Sequence, residues 1–203
     1  MARLDYQLIE ALVPVGATVL DLGCGDGELL AKLVSERGAR GSGVDNDQAA
    51  IEACAARGLS AIQGDLDKGE GLADYDDGSI DVVILSFSLQ QLRRPRVVVG
   101  EMARVGRRAI ASFPNFAHWQ VRGQLFVTGR MPVSKELPNQ WYDTPNIHLC
   151  TVKDFRDLCR AEGLDIEHEY YLRRFDKSAS GHLLPNLTAR IAIFAFSRPP
   201  ASL

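Results

Sequence analysis

Three closely spaced glycines near the N-terminus are the first residues whose types and spacing could do chemistry. Gly23, Gly25 and Gly27 follow the short apolar run Thr18–Leu22 and precede a helical pattern of leucines. A strand that enters such a turn ahead of a helix brings backbone N–H groups close to a bound ligand. Side chains at these positions would fill the space the ligand needs, and glycine adopts a positive φ without steric cost. The turn therefore predicts a ligand site at this point of the fold.

Three carboxylates accompany the turn, each at the C-terminal end of a predicted strand. Asp45, about 20 residues further on, is placed to accept both hydroxyl groups of a ribose. Asp65 follows the next strand and suits the exocyclic amine of an adenine. Asp21 lies beneath the turn, where its charge would oppose a diphosphate and favour a cationic sulfonium amino acid.

Two classes of ligand fit a turn of this kind. Nicotinamide and flavin sites use G-x-G-x-x-G, in which the third glycine permits tight packing near a pyrophosphate. Here the spacing is G-x-G-x-G, and Glu28 stands where that third glycine would be. Together with the three carboxylates, this spacing favours S-adenosylmethionine or S-adenosylhomocysteine over a dinucleotide.

Alternating strand and helix patterns must position these residues. The strongest strand, Ile80–Ser86, is almost continuously apolar, which is typical of a parallel strand covered on both faces. Repeated β–α alternation predicts an α/β, doubly wound, Rossmann-like sheet with helices on both faces. We expect seven strands, of which five are parallel and the last two form a C-terminal antiparallel hairpin. The predicted strands are 18–22, 41–44, 59–63, 80–86, 109–112, 166–174 and 189–196.

The second half of the chain follows a different pattern. We expect residues 1–203 to form one domain, with a ligand-binding half (1–114) and a half (115–203) that holds a lid or partner segment and the helix and hairpin. Residues 115–150 contain both tryptophans and no clean period, and such a segment could shape a lid or a protein interface. Its candidate polar groups are His118, Tyr142 and His148, although a structural hydrogen bond would also explain each of them.

Charge and hydropathy exclude several classes of partner. The net charge is −3, so the chain has no bulk attraction to nucleic acid or to anionic membranes. No segment approaches the ~18 uninterrupted apolar residues of a membrane span. Arginines cluster around the fourth predicted helix, as a solvated basic face or, alternatively, as a docking patch for an acidic partner. They are Arg93, Arg94, Arg96, Arg104, Arg107 and Arg108. We therefore predict neither a nucleic acid nor a membrane as partner.

The cysteines bear on metals and on the compartment. Cys24, Cys54, Cys150 and Cys159 form no C-x-x-C pair, so they predict neither a metal site nor a disulfide framework. Four reduced thiols, and an N-terminus without the apolar run of a signal peptide, favour the cytoplasm.

The motifs "VLDLGCGDGELL", "GVDND" and "GDLD" resemble the first motifs of class I S-adenosylmethionine-dependent methyltransferases. The resemblance implies that the glycines line the methionine part of the ligand, with Asp21 near its amino group. It also implies that the Leu66 backbone holds the adenine ring and that Ser86 and Phe87 close over the methionine moiety. The predicted cofactor contacts are Asp21, Gly23, Cys24, Gly25, Gly27, Asp45, Asn46, Asp65, Leu66, Ser86 and Phe87.

Three further motifs extend the resemblance over nearly the whole chain. "SFSLQQLRRP", "SFPNFAHWQVRGQLFVTGRMP" and "WYDTPNIHLCT" resemble the MetW family of methionine-biosynthesis proteins. The resemblance implies an S-adenosylmethionine-binding protein that supports the homoserine O-acyltransferase step, with that acyltransferase as partner. The alternative is a methyltransferase that acts on an unidentified small molecule. The sequence assigns neither a methyl acceptor nor a catalytic residue, so it leaves open whether the chain is an enzyme.

Overall fold

The computed structural model describes residues 4–173 and 184–200, which contain one seven-stranded sheet. The strands, in chain order, are β1 (Thr18–Leu22), β2 (Arg40–Asp45), β3 (Ser60–Gln63), β4 (Ile80–Ser86), β5 (Gly106–Pro114), β6 (Asp165–Leu172) and β7 (Ile191–Ser197). They lie side by side in the order β3-β2-β1-β4-β5-β7-β6. The predicted α/β fold with seven strands is therefore confirmed.

The direction of the strands follows the prediction with one addition. β1 to β5 are parallel, and β6 and β7 pair antiparallel as the predicted hairpin. β7 also pairs antiparallel with β5, so it is inserted between β5 and β6, and β6 runs in the same direction as the first five strands. The sequence predicted the hairpin but not the insertion, because local patterns do not encode strand order.

Helices cover both faces of the sheet. They are α1 (Leu4–Leu12), α2 (Glu28–Arg37), α3 (Gln48–Ala56), α4 (Pro95–Val105), α5 (Trp119–Thr128), α6 (Val152–Ala161) and α7 (Pro185–Thr188). α1 and α2 pack on one face, and α4 and α6 pack on the other. Among the helices of the described residues, none is long and apolar enough to cross a membrane.

The core lies on both sides of the central strands. Along β4, Val83 and Leu85 face α4 and α6, whereas Val82 and Ile84 face α1 and α2. This alternation buries every one of these side chains, which explains why the strand reads as continuously apolar. A doubly wound sheet therefore places its loops, and any site they carry, at the strand ends.

β5 and α5 differ most from their sequence predictions, whereas β6 and β7 differ by one or two residues at each end. Position 174 of the predicted sixth strand lies outside the described residues. β5 extends over Gly106–Pro114 rather than 109–112. Its first residues were not predicted as strand because Arg107 and Arg108 are charged, and in the structure they pair with Asp81 and Glu167 of other strands. α5 lies in the segment that we expected to be irregular. Its buried face contains only Val121, and its N-cap is His118, so neither an apolar stripe nor a usual capping residue signals the helix.

Phe155 holds α6 against the sheet. Its ring centroid lies 5.1 Å from that of Phe113 and 4.8 Å from that of Phe194, and all three rings are fully buried. Replacing Phe155 by alanine should lower the free energy of unfolding by about 3–5 kcal/mol, through lost burial and a residual cavity. Urea unfolding measures this loss.

The exposed Phe126 provides the matched control, since the same substitution there should change stability by less than about 0.5 kcal/mol. Equal losses at the two positions would contradict this account of the core.

Candidate functional site

The predicted ligand residues meet at one edge of the sheet. β1 lies between β2 and β4, which follow it in the chain on opposite sides, so strand order reverses at this point. In doubly wound sheets the crevice at such a reversal, beyond the carboxyl ends of the strands, is where ligands bind. The glycine turn follows β1, Asp45 ends β2, Asp65 lies just beyond β3, and Ser86 ends β4.

The three glycines of the turn all have positive φ, at +65° for Gly23, +53° for Gly25 and +76° for Gly27. A Cβ on Gly25 would meet nothing within 4 Å, so this position faces open space. A Cβ on Gly23 would lie 2.4 Å from the Ser88 hydroxyl, and one on Gly27 would lie 2.7 Å from Leu59. The expectation that all three glycines leave room for ligand therefore needs correction, because Gly27 allows close packing against the chain beyond α3.

The backbone N–H groups of the turn also differ from our expectation. Those of Gly23 and Cys24 both donate to the Val44 carbonyl, at 2.7 and 3.1 Å. That of Gly25 donates to the Asp45 carboxylate at 2.9 Å. These three donors bind the turn to the end of β2, so the turn contributes its shape to the site more than free hydrogen-bond donors.

Asp45 is fixed from two sides. One carboxylate oxygen accepts the Gly25 N–H, and the other accepts the Asp47 N–H at 3.0 Å. Each carboxylate oxygen has a second lone pair, so both oxygens can still accept a hydroxyl group. Asn46 lies in the turn between them and its carbonyl accepts the Gln63 side-chain amide at 3.1 Å. The carboxylate is therefore held in one orientation by two backbone N–H groups.

Asp21 is a buried carboxyl group within the same edge. It is 2% exposed and forms no hydrogen bond with the residues that the structure describes. Burial, with a smaller effect from the Asp45 charge, raises the pKa of Asp21 to about 7. The group thus lacks a cationic partner and would be stabilised by one.

Asp65 and Leu66 form the far side of the site. The Asp65 carboxylate accepts the Asp67 N–H at 3.0 Å and pairs with Lys68 at 3.2 Å, which lowers its pKa. The ion pair is exposed at the surface. Leu66 buries its side chain in the core, which leaves its backbone at the start of a short 3₁₀ turn, Leu66–Lys68.

Ser86 and Phe87 close the other side of the turn. The Ser86 hydroxyl lies 3.0 Å from that of Ser112. Phe87 has a φ of +59°, which is rare for a bulky residue and is found at functional sites. Its N–H donates to the Ser112 carbonyl and its carbonyl accepts the Gln90 side-chain amide, at 2.9 and 2.7 Å. Ser112 and Gln90 were not predicted from the sequence, because their contacts with Phe87 depend on the neighbouring strand and on the positive φ of Phe87.

The candidate polar groups of the second half do not converge. His118 is buried at the start of α5, where its Nδ1 accepts the Gln120 N–H at 3.3 Å and burial lowers its pKa. Tyr142 and His148 are both exposed. His118 lines a cavity of about 30 Å³ together with Glu136 and Arg190, room for little more than a water molecule.

The arginine cluster is largely neutralised by ion pairs. Arg96 pairs with Glu162, Arg104 with Glu101 and Asp77, Arg107 with Asp81, and Arg108 with Glu167. The predicted basic face is therefore mostly a set of bridges between neighbouring elements.

The cysteines near the site are structural. The sulfur atoms of Cys24 and Cys54 lie 3.8 Å apart, both residues are buried, and burial raises both pKa values. Thiols in such surroundings are inert. In the described part of the chain, no three His, Cys, Asp or Glu side chains are grouped so as to hold a metal ion.

Comparison with solved structures identifies the class of fold. The S-adenosylmethionine-dependent methyltransferase from Mesorhizobium loti matches 97% of this chain and 99% of its own, with a TM-score of 0.69 and 17% identity. A possible histamine N-methyltransferase from Thermotoga maritima matches 96% and 88%, with a TM-score of 0.67 and 15% identity. The [4+2]-cyclase SpnF matches 96% and 80%, with a TM-score of 0.65 and 15% identity. The chain therefore has the fold of S-adenosylmethionine-dependent methyltransferases.

Sequence comparison is more specific. The family model described as methionine biosynthesis protein MetW matches residues 3–196. The bifunctional methionine biosynthesis protein MetXA/MetW of Rhodopirellula baltica is 36% identical over 209 residues, which cover 97% of this chain. This chain spans 33% of the length of that relative. The chain belongs to the MetW family.

The buried Asp21 predicts an unusual dependence of stability on pH. Because its pKa is raised in the folded state, the unfolded state loses its proton first, and stability falls as pH rises from about 4 to about 7. Replacing Asp21 by asparagine should leave stability nearly unchanged at pH 4 and raise it above pH 7. The gain is about 1.4 kcal/mol for each pH unit of the shift. Chemical denaturation at both pH values measures this difference.

Asp81 provides a control of opposite sign. Its carboxylate accepts the Thr18 N–H and hydroxyl, both at 2.8 Å, which lowers its pKa. Its stabilising contribution is present at neutral pH and is lost as pH falls through the lowered pKa. Asp81→Asn should therefore destabilise the protein at pH 8. If the single substitution Asp21→Asn also lowered stability at pH 8, the account of Asp21 would be contradicted.

Proposed function

We propose that the chain binds S-adenosylmethionine or S-adenosylhomocysteine at the edge formed by β1 to β4, and that it supports the homoserine O-acyltransferase step of methionine biosynthesis. The observation that carries this proposal is the bifunctional relative, whose name joins a MetXA part and a MetW part in one chain. Parts that work on the same step gain effective concentration when they are linked.

The geometry of the edge supports the choice of ligand. The amino group and the sulfonium of S-adenosylmethionine are cationic, and Asp21 is a buried carboxyl group without a cationic partner among the described residues. Asp45 would present a fixed carboxylate to a ribose, and the space beside Gly25 is open. Asp65 and the Leu66 backbone would hold the adenine, while Ser86 and Phe87 would flank the methionine part. Gly23, Cys24, Gly27 and Asn46 would shape the turns around it.

The same proposal gives each half of the chain a role. Residues 1–114 would bind the ligand, and residues 115–203 would carry the partner segment within a single domain. The four free cysteines suit the reducing cytoplasm as the compartment.

A small-molecule methyltransferase is the second candidate, and His118 is the observation that favours it. His118 lies just beyond β5, at the same edge of the sheet as the ligand residues. Burial lowers its pKa, and since its Nδ1 accepts the Gln120 N–H, taking a proton from a methyl acceptor would require that hydrogen bond to be released. The fold alone does not decide between the two candidates, because the [4+2]-cyclase SpnF has a similar fold.

Replacing Asp45 tests the ligand assignment. Hydrogen bonds to a charged group contribute about 1.5–3 kcal/mol each. Asp45→Asn should therefore weaken S-adenosylmethionine binding at least about tenfold, measured by calorimetry. NAD should give no measurable binding to the unaltered protein.

Asp47→Asn is the matched control, because Asp47 caps α3 from an exposed position and asparagine caps a helix equally well. Unchanged affinity in folded Asp45→Asn protein, or saturable NAD binding at lower concentration than either adenosyl ligand, would contradict the assignment.

The acyltransferase proposal is tested with both purified proteins from the same organism. At micromolar concentrations we expect a complex and a changed rate of acyl transfer. If ligand and partner binding are coupled, S-adenosylmethionine should change the affinity of the complex about 5–150-fold, and the acyltransferase should change ligand affinity by the same factor.

No complex and no change in acyl-transfer rate, with or without ligand, would favour the methyltransferase alternative. Methyl transfer to a component of a cell extract, lost in His118→Gln protein, would then support it.

A further inference from the structure

Exposed apolar side chains are concentrated on one part of the second half. Of the fifteen large apolar side chains that are exposed in residues 4–173 and 184–200, ten lie between positions 119 and 149. Contiguous apolar surface of this kind marks interaction sites, whereas single exposed apolar residues need no explanation. We call residues 129–151 the strap, and α5 together with the strap the apolar face.

Among the described residues, no element covers one side of α5. Trp119, Gly123, Phe126 and Val127 recur at helical spacing and lie on the same side, opposite the buried Val121. Phe126 is 91% exposed and Val127 is 80% exposed. A Cβ built on Gly123 would meet nothing within 4 Å, so the surface between these side chains is open.

The strap lies beside α5, with which it lines the small cavity at His118, and it carries a second group of exposed apolar side chains around a shallow cavity. The cavity encloses about 150 Å³, and its apolar wall comes from Met131, Trp141, Ile147 and Leu149 of the strap and from Phe116. Trp141 packs edge-on against Tyr142, with 5.6 Å between ring centroids, although both side chains are exposed. Exposed aromatic side chains beside an apolar cavity are the features that dominate protein–protein binding.

The strap is held in a defined position rather than lying loosely on the surface. Glu136 pairs with Arg190 at 3.0 Å, and both side chains are only 17% exposed. At its other end, the N–H groups of Ile147 and His148 both donate to the Gln90 carbonyl, at 2.9 and 3.0 Å. A surface fixed in this way loses little conformational entropy when a partner binds.

The charges around the apolar face are mainly positive. Arg122, Arg130 and Lys135 are exposed on α5 and the strap, whereas Asp143 is the exposed acid between positions 119 and 149, since Glu136 is paired with Arg190. A complementary partner therefore has an apolar centre with acidic groups at its rim.

We propose that the homoserine O-acyltransferase docks on the apolar face, with Phe126, Val127 and Trp141 buried at the centre of the contact. This inference rests on the proposed function, in which the acyltransferase is the partner. In the fused relative the two parts share one chain. Where they are separate chains, the buried core of a contact between them is more apolar than the surrounding surface, and among the described residues the face concentrates the exposed apolar side chains.

The face is also connected to the ligand edge. Gln90 accepts two strap N–H groups through its backbone carbonyl, and its side chain donates to the carbonyl of Phe87. Phe87 is the strained residue beside the glycine turn. Docking on the strap would therefore act on the backbone of Gln90, and ligand binding at Phe87 would act on its side chain.

Two valines of nearly equal exposure allow a matched test. Val127 is 80% exposed on α5, and Val15 is 78% exposed in the loop before β1. Val127→Asp should weaken the complex with the acyltransferase at least about tenfold, because an aspartate would be buried in an apolar contact. Val15→Asp should leave the affinity unchanged. Phe126→Ser provides a second variant on the face that removes an exposed ring without adding charge.

Calorimetry with S-adenosylmethionine and thermal unfolding confirm that each variant remains folded and competent to bind ligand. If the unaltered chain forms no complex, the partner assignment itself is wrong, and this inference fails with it. If the unaltered chain forms a complex and both face variants bind as tightly, the proposed function stands and the docking face is wrong. If the chain alone is a dimer that Val127→Asp dissociates, the face is a contact between copies, which also overturns the inference.

Discussion

The ligand edge depends on the hydrogen bonds that join the glycine turn to the end of β2. Val44 accepts two N–H groups of the turn through its carbonyl, and Asp45 accepts a third through its carboxylate. The turn can reach these acceptors because its glycines adopt positive φ, and α3 can approach it because Gly27 has no side chain. The Gly25 N–H bond also orients the Asp45 carboxylate. The proposed ribose site therefore depends on the conformation of the turn.

Charge within the edge is organised differently from charge elsewhere in the molecule. In α4, Arg96 pairs with Glu162 at the end of α6 and Arg104 pairs with Asp77 in the loop before β4. In β5, Arg107 and Arg108 pair with carboxylates of β4 and β6. Asp21 lacks such a partner and remains buried at a cost in stability above neutral pH. A cationic ligand would lower its pKa and recover that cost on binding. An acid left unpaired in the fold is thus better explained by a ligand than by stability, since functional sites are where such costs are retained.

The sequence predicted the parts of the fold that local patterns determine. Three local patterns led to observed elements. They are the continuous apolarity of β4, the spacing from the glycine turn to Asp45, and the apolar runs that correspond to β6 and β7. The insertion of β7 beside β5 and the packing role of Gly27 were not predictable, because each depends on residues far apart in the chain. α5 was missed for a different reason. Periodicity identifies a helix through its buried side, and α5 buries one side chain while it exposes the apolar residues that would have marked it.

The exposed apolar side of α5 distinguishes the second half of the chain from the first. A helix with an exposed apolar side is unfavourable in an isolated protein, and it persists here because His118, the Arg190–Glu136 pair and the Gln90 carbonyl hold α5 and the strap to the sheet. These anchors lie at the carboxyl ends of β4 and β5 and just before β7, beside the edge that carries the glycine turn. A ligand that changes the packing at Phe87 would therefore act on an anchor of the strap. Coupling of this kind requires only a small difference between two arrangements of the strap, since typical coupling energies are about 1–3 kcal/mol. On this reasoning, a methyltransferase fold can report the level of its ligand to a partner without transferring a methyl group.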